Sequence, residues 1–439
     1  MPLVGAAGLA FVVAFPFAAA CLLLFLIGSI DLPVGAISAG PVDVRPYELL
    51  LGVLLFVAVV RPRRATWGGW AGAALAAFLG LLVLSSALAI VEGRVSPADL
   101  LPWARVFGVY VLFFVVIRLF PDRQSLLRLL TVGAVLGAVS GVVAALIAMG
   151  TPIGAALDFT SGFLTQTTID GVRRVRLPGV ALAYTLFWFV VVQIVQTRGT
   201  RKLLWSLTLA GMGVHLAVSQ NRNMWIGLVV GGVLMLAIGG PQVRHRMVAT
   251  IAALAIGIAL IVSFGFSIEE GSRLEPIVER GTTLFDPEAV GQERSLTHRA
   301  EENDLALKAA RDNLLFGIGP GTNFGQTFGE SRTDGTIRIV NQNFVHNQYI
   351  YLLMIGGIPL LVAFVVFVAS VLGTVIRRRR DPVVLSCAVG LFMVMVSGVV
   401  MISFSSFEMV GALALVAGVL TAWTRDDSVA GAPDNRLRP

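Results

Sequence analysis

The chain alternates between long apolar runs and short polar connections, and this alternation sets its fold class. About 20 apolar residues cover the roughly 30 Å hydrocarbon core of a bilayer as a helix. Twelve runs approach that length: 6–30, 43–60, 67–90, 103–120, 126–149, 178–197, 203–220, 223–240, 247–267, 346–375, 382–403 and 406–424. The pattern predicts an all-α polytopic membrane protein with about 12 transmembrane helices. The first run lacks a basic leader, so we interpret it as a span and not as a signal peptide.

The composition supports this fold class. Hydrophobic residues make up 56% of the 439 residues and charged residues only 13%, against about 25% charged residues in a typical soluble domain. The mean hydropathy is +0.84. A soluble enzyme, a disordered chain and a secreted disulfide scaffold are therefore excluded. The two cysteines, Cys21 and Cys387, lie in apolar runs and predict neither a disulfide nor a zinc framework.

The distribution of the net charge of +7 predicts the orientation. Alternate short connections are basic, and with twelve spans these five connections fall on the same side as both termini. Their basic residues are Arg61, Arg63, Arg64, Arg118, Arg123, Arg128, Arg198, Arg201, Lys202, Arg244, Arg246 and Arg377–Arg380. The positive-inside rule makes that side cytoplasmic. The excess charge is thus a topology signal, and no nucleic acid is expected as a partner.

The opposite side carries two connections that are too long for turns. They cover 150–177 and 268–345, and connections beyond about 15 residues are usually functional or disordered. The amphipathic pattern from Ser295 to Asn313 predicts a helix, which Gly317–Gly321 terminates. We therefore divide the chain into spans one to nine (1–267), a large, partly helical external (periplasmic) loop (268–345), spans ten to twelve (346–424) and a cytoplasmic tail (425–439).

Three polar places at the external membrane edge could carry chemistry. Arg222 lies in a polar turn between spans seven and eight, and Arg299 lies near the start of the loop helix. Arginine binds phosphate through two parallel hydrogen bonds, and a helix N-terminus also favours anions. His346 precedes span ten, where an imidazole can accept a proton near neutral pH. Each also has a purely structural interpretation, as a polar turn, an exposed helix residue or a packing histidine.

Other polar residues are secondary candidates. His215 lies within span seven, seven residues before Arg222, and is predicted to be a buried packing residue that could support that arginine. The basic cluster on the 150–177 connection could bind a second anionic group, such as acceptor phosphates, or anchor lipid headgroups. It consists of Arg173, Arg174 and Arg176. The connection 31–42 lacks an Asp-x-Asp motif, so neither a metal nor another cofactor is expected.

Three segments, in order, resemble the bacterial O-antigen ligase and polymerase superfamily. Val345–Leu353 followed by Gly356–Pro359 is similar to its signature, a His-Asn pair before a leucine-rich helix with a glycine-rich break. Arg299–Phe324 resembles the preceding arginine, amphipathic helix and glycine turn, and Ser219–Trp225 resembles the Ser-x-x-Arg turn. The chain departs from the pattern where Met354–Gly356 replaces an acidic residue. The Gln220-Asn221 pair is also bulkier and more polar than expected.

The resemblance implies a glycosyltransferase of the bacterial cytoplasmic (inner) membrane, active in lipopolysaccharide or other surface polysaccharide biosynthesis. Its donor would be a polyprenyl-pyrophosphate-linked glycan on the external face of the lipid bilayer, and its acceptor a lipid or glycan. Residue by residue, the resemblance puts the acceptor-activating base on His346 and the pyrophosphate-binding arginines on Arg222 and Arg299. Asn347 would orient the imidazole. One base and two arginines suffice for a metal-independent inverting displacement.

Two alternatives stay open. A ligase and a repeat-unit polymerase would use the same donor, and the sequence does not separate them. The competing class is a transporter or flippase, which typically places ionisable residues near the bilayer midplane and has repeated halves. The polar candidates cluster at one membrane edge and the sequence has no internal repeat, which favours the enzyme.

Overall fold

The computed structural model describes residues 10–28, 37–39, 42–61, 67–149, 151, 167–169, 172–241, 244–245, 247–248, 294–330, 337–376, 378, 380–401 and 406–424. Its helices are α1 (Pro16–Gly28), α2 (Pro46–Val60), α3 (Gly69–Val91), α4 (Pro97–Gly108), α5 (Leu112–Leu119), α6 (Arg123–Ala148), α7 (Gly179–Gln196), α8 (Gly199–Val218), α9 (Arg222–Ile238), α10 (Arg294–Arg311), α11 (Gln348–Ile376), α12 (Pro382–Ser397) and α13 (Phe407–Trp423). The strands are β1 (Ile37–Ala39), β2 (Val42–Val44), β3 (Thr167–Ile169), β4 (Val172–Arg174), β5 (Gly325–Glu330) and β6 (Ile337–Gln342).

The mostly helical, multi-pass character of the predicted fold is confirmed. Five helices are long and apolar enough to cross a membrane: α3, the continuous Pro97–Leu119 segment, α6, α7 and α11. Five shorter apolar helices are α1, α2, α9, α12 and α13. Helix α8 coincides with the seventh predicted span, whereas most of the ninth run, 247–267, lies outside the described residues. The count of twelve spans and the division into domains therefore stay predictions.

The expectation of an all-α chain needs one correction. In the described part of the chain, three antiparallel hairpins, β1–β2, β3–β4 and β5–β6, occupy connections between helices. The longest of them pairs Gly325 with Gln342 and runs to Glu330 opposite Ile337. These connections are too polar to continue a membrane helix, and pairing two extended segments satisfies their backbone hydrogen bonds locally. The predicted helix at 295–313 is confirmed as α10.

Helix α13 lies at the centre of the helix bundle. Every residue of this helix except Glu408 is buried, and it contacts α1, α5, α7, α11 and α12. A helix that is apolar all round buries all of its faces. Helix α7 has the same character, because nearly all of its residues are buried. The outer helices, such as α3, leave large apolar side chains exposed, as expected for a surface that faces lipid.

Helix α11 is broken in the middle, and the glycine-rich turn after α10 fills the break. Gly357 has a left-handed backbone (φ 71°), and Pro359 has no N–H to donate to the preceding turn. The turn forms hydrogen bonds with the backbone groups of α11 that lose their helical partners at this break. Ile318 N–H donates to Met354 O (2.9 Å), Gly319 N–H to Ile355 O (3.0 Å) and Ile358 N–H to Leu314 O (2.8 Å). Because these are backbone contacts, they fix α10 relative to α11 with little freedom.

Candidate active site

A carboxylate–imidazole pair lies where α10 crosses the start of α11. The His346 Nδ1 atom is 2.7 Å from the Glu302 Oε2 atom. The Glu302 side chain is 1% exposed and that of His346 is 34% exposed. The edge of the Phe344 ring packs against the imidazole, with the ring centroids 5.4 Å apart. The histidine is therefore held on two sides, and about a third of its side-chain surface stays exposed.

Asn347 caps the helix that follows the histidine. Its Oδ1 atom accepts hydrogen bonds from the N–H groups of Tyr349 (3.1 Å) and Ile350 (3.2 Å). A side-chain oxygen in this place satisfies N–H groups that have no partner in the first helical turn. The predicted contribution of Asn347 to imidazole orientation is thus indirect, through the backbone of α11, while the direct contact comes from Glu302.

Arg299 lies on the same face of α10 as Glu302. The two residues are three positions apart, which places them on neighbouring turns of one helix face, about 4.5 Å along the axis. Arg299 is half-buried. Asn303, beside Glu302, has a buried Oδ1 atom with no hydrogen-bond partner among the described residues. One face of α10 therefore carries a cation, an anion and an amide in a row, and Glu302 joins this face to the residue before the start of α11.

The turn before α9 is buried, although five consecutive polar residues form it. Ser219, Gln220 and Asn221 are 0%, 3% and 6% exposed. Gln220 has a φ of 49° and is the one residue other than glycine with a positive φ in the described part of the chain. A left-handed glutamine costs free energy that the surrounding contacts must offset. This conformation sets the path of the chain into Arg222, the first residue of α9. The Arg222 side chain is half-buried, and its Nε atom is buried.

The segment between α12 and α13 brings this turn and the start of α11 together. Gln348 donates its backbone N–H to the Gly398 carbonyl at 2.8 Å, and Asn221 donates its Nδ2 hydrogen to Met401 Sδ at 3.4 Å. Two acceptors only three residues apart therefore hold the neighbours of His346 and of Arg222. With Arg299 on α10 beside Glu302, all three predicted site residues gather at one end of the bundle.

The secondary candidates lie on other elements than the three primary candidates, His215 on α8 and the basic cluster on and after β4. His215 is fully buried in the interface between α6 and α8, where its Nδ1 atom is 3.4 Å from the Gly137 carbonyl oxygen. Its Nε2 atom has no hydrogen-bond partner within the described ranges. Arg176 is half-buried and close enough to interact with His215 electrostatically. Arg173 and Arg174 belong to β4, but their side chains lie outside what the structure describes.

Residues 207–365 match the family model described as O-antigen ligase. The matched segment is similar to the O-antigen ligase family. It runs from within α8 to the middle of α11 and contains the buried turn, α10 and the carboxylate–imidazole pair. The suspected superfamily is thereby confirmed, and family members are O-antigen ligases or polymerases. No curated protein matches the chain.

Within the O-antigen ligase segment, Glu302 is the residue that the sequence did not single out. It was one of several acidic residues on a solvated-looking helix, beside Glu301 and Asp304. The sequence feature that could have identified Glu302 is its helical spacing from Arg299, Ala306 and Ala310. These two alanines share its helix face and are buried. That spacing shows that position 302 faces inward, and a carboxylate buried there needs a partner.

Within the O-antigen ligase segment, a close contact between α9 and α7 sets the position of α9 and of Arg222. A Cβ atom added at Gly227 would lie 1.8 Å from the Tyr184 hydroxyl oxygen. That hydroxyl is held between the Met393 carbonyl (3.1 Å) and Ser397 Oγ (2.6 Å) of α12. Helix α9 can approach α7 this closely only because glycine stands at the contact.

We expect Gly227→Ala to destabilise the protein by about 1–3 kcal/mol, because an overpacked helix contact forces the backbone apart. The displacement of α9 would also shift Arg222. Gly213→Ala is the matched control, since nothing lies within 4 Å of an added Cβ in α8. Thermal unfolding in detergent measures both variants. Equal melting temperatures for the two would contradict the packing that the structure assigns to α9.

Proposed function

We propose that the protein is an inner-membrane glycosyltransferase that moves a glycan from a polyprenyl-pyrophosphate donor to an acceptor hydroxyl on the external face. The observation that carries this proposal is the His346–Glu302 pair beside Arg299, within a segment of the O-antigen ligase family. A general base next to a cation is the combination that such a transfer requires. The broader role, in surface polysaccharide biosynthesis, follows from the family.

In the proposed reaction, the acceptor hydroxyl attacks the anomeric carbon of the donor sugar. A sugar hydroxyl is a poor nucleophile until a base takes its proton, and His346 is that base. The bond between the anomeric carbon and the pyrophosphate oxygen breaks as the new glycosidic bond forms. A direct displacement of this kind inverts the anomeric carbon. The polyprenyl pyrophosphate leaves as an anion and needs no proton.

Arg222 and Arg299 stabilise the charge that builds up on the leaving pyrophosphate. Each guanidinium is permanently charged and has a planar set of donors that match phosphate oxygens. Arg222 is the first residue of α9, so the N-terminal end of the helix dipole adds to its positive charge. These cations supply the charge that other membrane glycosyltransferases take from a metal ion, so we propose a metal-independent reaction.

Ligase and polymerase differ only in the acceptor, and we favour the ligase because the matching family carries that description. A ligase passes the glycan to a separate lipid or protein acceptor, whereas a polymerase extends another lipid-linked repeat. A gel of surface polysaccharide from a deletion strain separates them. Accumulation of unattached long chains supports a ligase, and loss of long chains supports a polymerase.

Consumption of lipid-linked glycan by the purified protein tests the enzyme class. We expect turnover in detergent, without any ion gradient and with released polyprenyl pyrophosphate as product. A transporter would need sealed vesicles and would return its substrate unchanged. Intact donor after long incubation with a range of acceptors, by a protein that is folded, would count against the glycosyltransferase.

The proposed reaction requires the loop 268–345 to lie outside the cytoplasm, which a topology measurement checks. We expect a reporter fused near Gly329, in β5, to be active only if it functions outside the cytoplasm. A fusion near Arg378, between α11 and α12, should give the opposite result, because this basic connection is cytoplasmic by the positive-inside rule. A reporter at Gly329 that works only in the cytoplasm would overturn the orientation.

A further inference from the structure

We propose that Glu302 is a positioning residue for the transfer reaction, which holds His346 in the one tautomer that can act as a base toward the acceptor. This inference rests on the proposed function and adds a residue to it. The geometry behind it is the 2.7 Å contact between Glu302 Oε2 and His346 Nδ1. The carboxylate acts only through the imidazole and does not itself contact the acceptor.

The contact selects the tautomer because of what each group can donate. An ionised carboxylate has only acceptors, so the hydrogen in this bond must come from Nδ1. A neutral imidazole carries one N–H, and when Nδ1 carries it, Nε2 is left with a free lone pair. Nε2 is therefore the atom that can accept a proton. The opposite tautomer would place two acceptors 2.7 Å apart, which is unfavourable.

The exposures of Glu302 and His346 agree with a carboxylate that orients the imidazole and an imidazole that meets the acceptor. Glu302 is 1% exposed and His346 is 34% exposed, so the carboxylate is buried under α10 while part of the imidazole is accessible. Ala306 and Ala310 pack the same face of α10. The backbone bonds between the turn after α10 and the break in α11 then set the distance between the two helices.

The buried carboxylate also has a role during the transfer itself. When Nε2 takes the proton from the acceptor hydroxyl, the imidazole becomes a cation next to an anion. The ion pair stabilises that cation at the moment when the acceptor oxygen bonds to the anomeric carbon and the pyrophosphate departs, as in the acid–histidine arrangement of hydrolases. The proton then passes to water from the exposed part of the ring, and the site is ready again.

A purely structural role is the competing explanation, in which Glu302 only fastens α10 onto α11. Such a role predicts that a substitution lowers stability and weakens donor binding, because α10 carries Arg299. The positioning role instead predicts a lower rate of the chemical step with donor binding preserved. The two explanations therefore predict different changes in kcat, in KM and in the tautomer of the imidazole.

Glu302→Gln is the informative variant, since glutamine keeps the shape of the side chain and removes its charge. Its amide can donate to Nδ1, which favours the wrong tautomer. We expect kcat to fall about 10–10²-fold, with KM for a lipid-linked glycan donor changed less than about twofold. Glu301→Gln is the matched control, because Glu301 is the exposed neighbour on the same helix, and it should behave like the unsubstituted protein.

Nitrogen NMR of the protein with labelled histidine gives a second readout that does not depend on activity. We expect the His346 proton on Nδ1 in the unsubstituted protein and a shift toward Nε2 in Glu302→Gln. A proton on Nε2 in the unsubstituted protein would overturn the inference, even if the variant failed to fold. Unchanged kcat in Glu302→Gln, or a lower kcat matched by a higher KM with an unchanged tautomer, would also overturn it. Retained activity in His346→Ala would instead refute the base assignment of the proposed function.

Discussion

Replacing His346 with alanine should lower turnover about 10²–10⁴-fold, the usual contribution of a general base. The imidazole is held by the buried Glu302 carboxylate and packed by the Phe344 ring, yet remains partly exposed. Donor binding should survive, because the arginines on α9 and α10 still hold the pyrophosphate. Measurement of kcat and of donor affinity in the purified protein checks both parts of this expectation.

His346→Asn separates a base from a helix-terminal polar group. Asparagine keeps a polar side chain before α11 but cannot accept the acceptor proton, so this variant should be as impaired as the alanine variant. An active His346→Asn protein would rule out the base and leave the fold and the arginines untouched.

Asn347→Ala serves as a neighbouring comparison for the histidine variants. Its side chain caps α11 through the N–H groups of Tyr349 and Ile350, and loss of such a cap costs about 0.5–2 kcal/mol. The defect should therefore be milder than that of His346→Ala and should appear as lower stability. Equal loss of turnover in the two variants, with stability unchanged, would give Asn347 a direct part in the chemistry.

The sequence predicted the helices well because each is specified by a local pattern. A run of apolar residues or an amphipathic period is visible without knowing what the helix packs against. The same locality explains why α10 was predicted within two residues of its observed ends. Arg222, Arg299 and His346 stood out for a related reason, since charged or titratable residues next to apolar runs are costly and rare.

The pairing of Glu302 with His346 could not be predicted, because it depends on two elements 44 residues apart. Which acidic residue of α10 faces inward is set by the rotation of that helix over α11. That rotation follows from backbone contacts between the glycine-rich turn and the break at Gly357. Both the glycine-rich turn and the break in α11 were visible in the sequence, as a helix stop and a helix break. Nothing in either segment indicates that the two bond to each other.

The burial of the turn before α9 could not be predicted for the same reason. Five consecutive polar residues from Ser219 to Asn223 indicate a solvated turn when only the local sequence is considered. The turn is buried by the segment after α12, which lies 180 residues later in the chain. The Met401 sulfur of that segment accepts a hydrogen bond from the Asn221 side chain. A left-handed Gln220 is the structural sign that this turn is held by its surroundings.

Arg222→Lys and Arg299→Lys should each lower turnover about 10²–10³-fold, a loss typical of removing one group that stabilises transition-state charge. Lysine keeps the charge but loses the planar donors that bind two phosphate oxygens at once. The protein should still fold, because both arginines are only half-buried. Arg311→Lys is the matched control, since Arg311 is exposed at the last residue of α10, and its turnover should be unchanged.

The two arginine variants should also differ from the histidine variants in what they do to the leaving group. If the arginines stabilise departing pyrophosphate, a donor with a better leaving group should recover much of the lost rate in Arg222→Lys and Arg299→Lys, because less charge stabilisation is then required. It should recover little in His346→Ala, where activation of the acceptor is missing. If both arginine variants stay within about threefold of the unsubstituted protein, roughly 0.7 kcal/mol on the barrier, these arginines do not bind the pyrophosphate, and the donor must be held by other residues.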